Sequence, residues 1–298
     1  MNKIPVILDT DIGGDIDDTW ALGMLINTPE LDLKLISVVS HDVLYKAKIV
    51  CKFLERLDRA DVPVAMGIST SEETGCQEDW VQDYSVDQYP GNVYDDAIDR
   101  IAEIVTQSEE TVTIICIGTM TNMAAFADKY PDLVKKIKIV AMAGSIYKDE
   151  CGRESPIPEC NVVWDIPAAQ TVFSSQWDIT LAPLDVGVSA RIYGNEYAAV
   201  RESDKIIPQM IIEQYENWTR IHPELGGNPQ QFSSKLWDTV AVYLASKREF
   251  IELRNIPLVV TDKGYTKIDP ANGKNVFVGL SWKDLPGFQK YLASTLVS

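Results

Sequence analysis

Short runs of β-branched and other apolar residues recur along the chain at 5–8, 34–39, 62–66, 112–117, 137–142 and 179–182. Between them lie helical patterns such as 97–106 and 122–129. Nearly all-apolar strands alternating with helices predict a mainly parallel sheet covered by helices on both faces. The expected fold is therefore a single Rossmann-like α/β domain over residues 1–298, with its ligand site beyond the carboxyl ends of the strands. Three stretches break the alternation: 69–95, 148–158, and 212–234, which begins as a helix and ends in Gly226, Gly227 and Pro229. Long loops in a compact α/β domain tend to be lids or binding loops.

Charge narrows the class of partner. With 44 acidic against 27 basic residues the formal charge is −17. Such a surface repels phosphate backbones and anionic leaflets, so neither nucleic acid nor a membrane is expected as a partner. The five cysteines are odd in number and lack CxxC spacing, which reads as reduced thiols. The N-terminus lacks the pattern of a signal peptide, and no run approaches the ~20 apolar residues of a spanning helix. A cytoplasmic enzyme is the expectation.

The segment Asp9-Thr10-Asp11-Ile12-Gly13-Gly14-Asp15-Ile16-Asp17-Asp18 follows the first strand and precedes a helical run. Capping of that helix explains one or two of its five carboxylates. The rest would repel one another unless a cation neutralised them. His41 and His222 are the only histidines and the cysteines are unpaired, so oxygen ligands and Ca²⁺ or Mg²⁺ are indicated over zinc. A phosphatase with Asp-x-Asp after its first strand shares this motif. A P-loop does not, because its lysine is missing.

Asp-Thr-Asp-Ile-Gly, followed by Asp17-Asp18 and an Ala-Leu helix, resembles the signature of inosine-uridine nucleoside hydrolases. The likeness continues through Ile117-Gly118-Thr119-Met120-Thr121-Asn122, Met142-Ala143-Gly144, Glu159-Cys160-Asn161 with Asp165, Trp237-Asp238 with Ala241-Val242, and the tail 275–278. It implies a Ca²⁺ held by Asp11, Asp18, Asp238 and the main-chain oxygen of Ile117, with Asp17 as the base that deprotonates water. It further implies Asn161 on the ribose hydroxyls, Glu159 on the 5′ side and Asp42 in place of a sugar-binding Asn. Family members are often dimers or tetramers, so a homo-oligomer is expected.

The chain also departs from that pattern. Two extra residues before Asp17-Asp18 leave Asp15 as an alternative ligand or base. Trp237 stands where base-specific members carry a His that protonates the leaving base, and Arg153 stands where they have an Asn near the 5′-hydroxyl. An arginine suits an anion better than a neutral hydroxyl. His222, four residues after Trp218, is a candidate substitute acid if the helix extends that far. The expectation is a Ca²⁺-dependent hydrolase of the N-glycosidic bond of a riboside. Alternatives are a hydrolase of another glycosyl bond and a non-catalytic Ca²⁺-dependent sugar-binding protein with Trp237 as a stacking platform.

Overall fold

The computed structural model describes residues 3–298. Ten strands form one sheet: β1 Ile4–Thr10, β2 Leu31–Val38, β3 Val64–Met66, β4 Val93–Tyr94, β5 Val112–Cys116, β6 Ile137–Ala141, β7 Asp178–Leu181, β8 Ile251–Val260, β9 Thr266–Ile268 and β10 Lys274–Trp282. Their spatial order is β4-β3-β2-β1-β5-β6-β7-β10-β8-β9. Pairing is parallel from β4 to β10, whereas β8 runs antiparallel to both β10 and β9. The sheet is thus mainly parallel, as its apolar strands predict.

Alternate residues of the central strands feed two separate cores, because strand side chains point to opposite faces. Val6 and Leu8 of β1 join Ile115 of β5 and helices Asp17–Asn27, Ile206–Ile221 and Trp237–Ser246 on one face. Ile7, Ile114 and Cys116 join helices Ala97–Gln107, Thr121–Lys129 and Ile166–Ser174 on the other. Burial on both faces makes the strands mostly apolar, with a few buried polar side chains such as Ser37 and Thr113, and the carboxylate cluster gathers beyond their ends.

From β1 the chain first builds outward through β2, β3 and β4, then returns to pair β5 with the other side of β1. That reversal opens a crevice beyond the carboxyl ends of β1 and β5, where open α/β sheets bind ligands. The stretch 69–95 holds only a short helix, Glu78–Val81, a 3₁₀ turn, Val86–Gln88, and β4. Residues 142–159 form a loop with no regular element. Asp185 anchors it by accepting hydrogen bonds from the Ile146 and Tyr147 amides, both at 2.8 Å.

Candidate active site

A cavity of about 490 Å³ lies at this crevice, and the Asp9–Asp18 segment forms its floor. Gly13 makes the tight turn there with φ +107°, and a side chain would come within 2.7 Å of Tyr45 Cε1. Its carbonyl accepts from the Cys76 amide at 2.9 Å and the Tyr45 hydroxyl at 3.1 Å. The turn delivers Asp17 and Asp18 to the first turn of helix Asp17–Asn27, while Asp238 comes from the first turn of helix Trp237–Ser246. One carboxylate oxygen from each of these three buried residues lies within 4.8 Å of the others.

Burial, compounded by neighbouring carboxylates, raises all three groups well above the ordinary carboxylate range. Thr10 donates its hydroxyl to Asp18 Oδ1, and the Asp238 amide donates to Asp17 Oδ2 at 3.1 Å. Asp11 faces the same cavity; burial raises it too, with Lys46 opposing the shift. Lys46 is itself buried and donates to the Asp11 carbonyl at 2.7 Å and the Ile12 carbonyl at 3.3 Å. Asp9 lies beneath: Ser37 and Asn122 hold its Oδ1 at 2.5 and 2.8 Å, while its buried Oδ2 has no partner. Burial pushes its pKa up to about 7. The three-carboxylate donor set fits a hard, oxygen-seeking divalent cation, because its positive charge would relieve both the repulsion and the desolvation.

The remaining residues singled out in the sequence divide cleanly. Ile117, Glu159, Asn161 and Trp237 line the cavity with the acids. Asn161 Nδ2 donates to the Ile117 and Met142 carbonyls at 3.1 and 3.0 Å, which ties the ends of β5 and β6 together. Glu159 accepts from the Gly144 and Asn161 amides at 2.9 and 2.8 Å, and burial lifts it to about 7. Three other residues lie outside the lining. Asp42 caps helix Val43–Arg56 by accepting from the Leu44 and Tyr45 amides. Arg153 is exposed and paired with Asp149 at 2.6 Å. His222 ends helix Ile206–Ile221, with its ring 6.0 Å from Trp218 and its Nδ1 3.2 Å from Glu224. Asp15 sits exposed on the rim, its Oδ1 accepting from the Ile16 amide at 2.6 Å.

Several lining residues carried no motif in the sequence: His41, Lys46, Trp164, Trp218, Arg191, Ser234 and Lys235. Ser40 and His41 adopt φ of 65° and 46°, unusual for side-chain-bearing residues and a form of strain that gathers at functional sites. The turn aims His41 at the cavity, edge-on to Trp164 with ring centroids 5.4 Å apart.

Comparison with known proteins identifies the family. Residues 6–289 match the inosine-uridine preferring nucleoside hydrolase family. A pyrimidine-specific ribonucleoside hydrolase, RihA, of Escherichia coli is 28% identical over 236 residues, covering 74% of this chain and 73% of that protein. A plant nucleoside hydrolase superposes with TM-score 0.83 at 21% identity over 99% of both chains. A purine-preferring ribonucleoside hydrolase from Gardnerella vaginalis does so with TM-score 0.80 at 22% identity over 98% of both. The fold is that of nucleoside hydrolases. The chain belongs to the inosine-uridine preferring nucleoside hydrolase family and is an enzyme of the hydrolase class. No helix among the described residues is long and apolar enough to cross a membrane.

Proposed function

We propose that the chain hydrolyses the N-glycosidic bond of a ribonucleoside or related riboside with Ca²⁺ at its acidic cluster. The observation that carries this reading is the gathering of Asp17, Asp18 and Asp238 within 4.8 Å at the switch point of the sheet. Asp18, Asp238 and Asp11 would hold the ion with the Ile117 carbonyl. When bound, such a cation makes water easier to deprotonate and grips vicinal hydroxyls. Asp17 is pinned through one oxygen by the Asp238 amide, which leaves the other to take the proton from water. The remaining carboxylates favour the positive charge that develops on the sugar as the bond breaks. Asn161 spends its amide N–H groups on two carbonyls, which turns its Oδ1 into the acceptor available for a ribose hydroxyl.

Trp237 governs the leaving group. An indole N–H does not titrate near neutral pH, so it cannot protonate a departing base. His222, the substitute acid offered by the sequence, stands beyond Trp218 and outside the lining, and His41, the histidine in the lining, sits on the turn after β2 edge-on to Trp164. Substrates whose aglycone leaves without a proton are therefore favoured. Purified protein with Ca²⁺ is expected to hydrolyse 4-nitrophenyl riboside with kcat/KM at least ~10²-fold above that for inosine, the lower scale of general-acid catalysis. Chelation should stop the reaction. Absence of hydrolysis of any riboside with Ca²⁺ or Mg²⁺ present would overturn the proposal.

A further inference from the structure

Two cations in the cavity wall have no part in this chemistry. The segments around Arg191 and Ser234 are zipped together: the Leu236 amide donates to the Ala190 carbonyl at 2.7 Å and the Ser233 amide to the Ile192 carbonyl at 3.0 Å. The Ser233 hydroxyl accepts from the Ile192 amide at 3.0 Å, and Gln289 holds the Arg191 carbonyl at 2.6 Å. Arg191, Ser234 and Lys235 are thereby fixed side by side on the wall that carries Trp237.

In a chain of formal charge −17, neither Arg191 nor Lys235 forms an ion pair among the described residues. Arg191 lies over the Phe232 ring, 4.8 Å from its centroid, and its buried Nε has no hydrogen-bond partner among the described residues. Lys235 Nζ is 5.0 Å from the Trp237 ring centroid and donates only to the Glu150 carbonyl. The Ser234 hydroxyl, on a residue 3% exposed, has no partner among the described residues either. Unpaired buried donors weaken a fold and are retained where a ligand completes them. Lys46 already sits against that loop and lowers both Asp11 and Asp18 against the effect of burial; of the two wall cations Lys235 acts only on Asp15 at the rim, and Arg191 on none of these acids.

We infer that this wall recognises an anionic oxygen group of the substrate, a carboxylate or a phosphate, through Arg191 and Lys235 with Ser234 as a further donor. The inference rests on the proposed riboside hydrolysis and specifies its substrate class: a riboside whose diol meets the acidic floor and whose anion meets the cationic wall. Arg191 offers the planar fork that matches a carboxylate or phosphate. A neutral riboside would leave these donors unpaired, which is how a site rejects a ligand lacking the matching group.

Calorimetric titration of the full chain, saturated with Ca²⁺, against uridine, orotidine and uridine 5′-monophosphate tests it. Orotidine adds one carboxylate on the base, and the nucleotide adds a phosphate on the sugar. At least one should bind ~10-fold or more tightly than uridine, the scale of one charge-assisted hydrogen bond. Arg191→Gln and Lys235→Gln should each shrink that ratio, with Arg191→Lys retaining part of it. Lys235 is half-buried, so its variant keeps the test open if Arg191→Gln fails to fold. Preference for orotidine puts the anion on the leaving group, and preference for the nucleotide puts it on the 5′ carbon. No preference for either, or a preference that survives both Gln variants, overturns the inference. Hydrolysis of 4-nitrophenyl riboside by the same preparation separates the two ideas. Turnover without anion preference removes only this inference, whereas anion preference with no turnover of either the probe or the preferred anionic riboside removes the hydrolase reading.

Discussion

At the level of single residues, the three clustered carboxylates are proposed to divide two tasks, Asp18 and Asp238 holding the ion and Asp17 acting as base, and substitution can tell them apart. Asp17→Asn keeps the hydrogen-bonding shape but loses the basic oxygen, so hydrolysis should fall ~10²-fold or more while Ca²⁺ binding, read by calorimetry, persists. If Asp15→Asn shows that loss and Asp17→Asn does not, the rim residue is the base. A second pair concerns the turn after β2. Asp42 resembles a sugar-binding Asn in shape, yet its carboxylate caps helix Val43–Arg56, whereas His41 lines the cavity. Asp42→Ala should cost ~1 kcal/mol of stability, the usual value of a cap, and leave KM unchanged. His41→Ala should raise KM several-fold with little change in Tm; the reverse pattern in kinetics and calorimetry would return the sugar contact to Asp42. Sequence spacing could not separate these neighbours, because the left-handed backbone at Ser40 and His41 decides which of them turns inward.

At the level of elements, what was legible depended on whether a signal was local. The strands that became β1, β2, β3, β5, β6 and β7 announced themselves as buried apolar runs, and the tail 275–278 falls within β10. Strands β4, β8 and β9 went unread: β4 is two residues long inside the stretch read as a loop, β8 alternates buried and half-exposed residues with two exposed ones in its middle, and β9 is three residues long. The acids, Ile117, Glu159, Asn161 and Trp237 were found because each sits in an ordered motif at an element's end. Arg191 and Ser234 reach the cavity through the pairing of two segments some forty residues apart, which leaves no spacing to read. The floor loop depends on one backbone position in the same way. Gly13→Ala would force a side chain into φ +107° and against Tyr45, at a cost of ~1–3 kcal/mol. Because that turn sets Asp17 and Asp18, Ca²⁺ affinity should fall along with Tm. A variant that loses Tm alone would show that the carboxylates are placed by their helix and not by the turn.

For the whole molecule, the acidic floor makes stability a function of pH and cation together. Burial lifts Asp9 and Glu159 to about 7 and raises Asp11, Asp17, Asp18 and Asp238. Unfolded carboxyls titrate near ~4, so between that pH and about 7 the folded chain holds more protons than the unfolded one. Stability of the metal-free protein must then fall as pH rises through this window. The exposed ion pairs that lower Asp61 and Asp99 act in the opposite sense, but only below ~4. A cation that takes the place of those protons binds more tightly as pH rises, because its ligands need no longer release them. In chelator, Tm should therefore drop between pH 5.5 and 8. Saturating Ca²⁺ should restore it more at pH 8 than at pH 5.5. At a hundredfold excess over Kd the gain is ~2.7 kcal/mol, or about 4 °C for a chain of this size. Scanning calorimetry at the two pH values, with and without Ca²⁺, measures all four terms. An equal increment at both would mean that the cation does not bind where the protons are held, and the acidic floor would lose its claim to the metal.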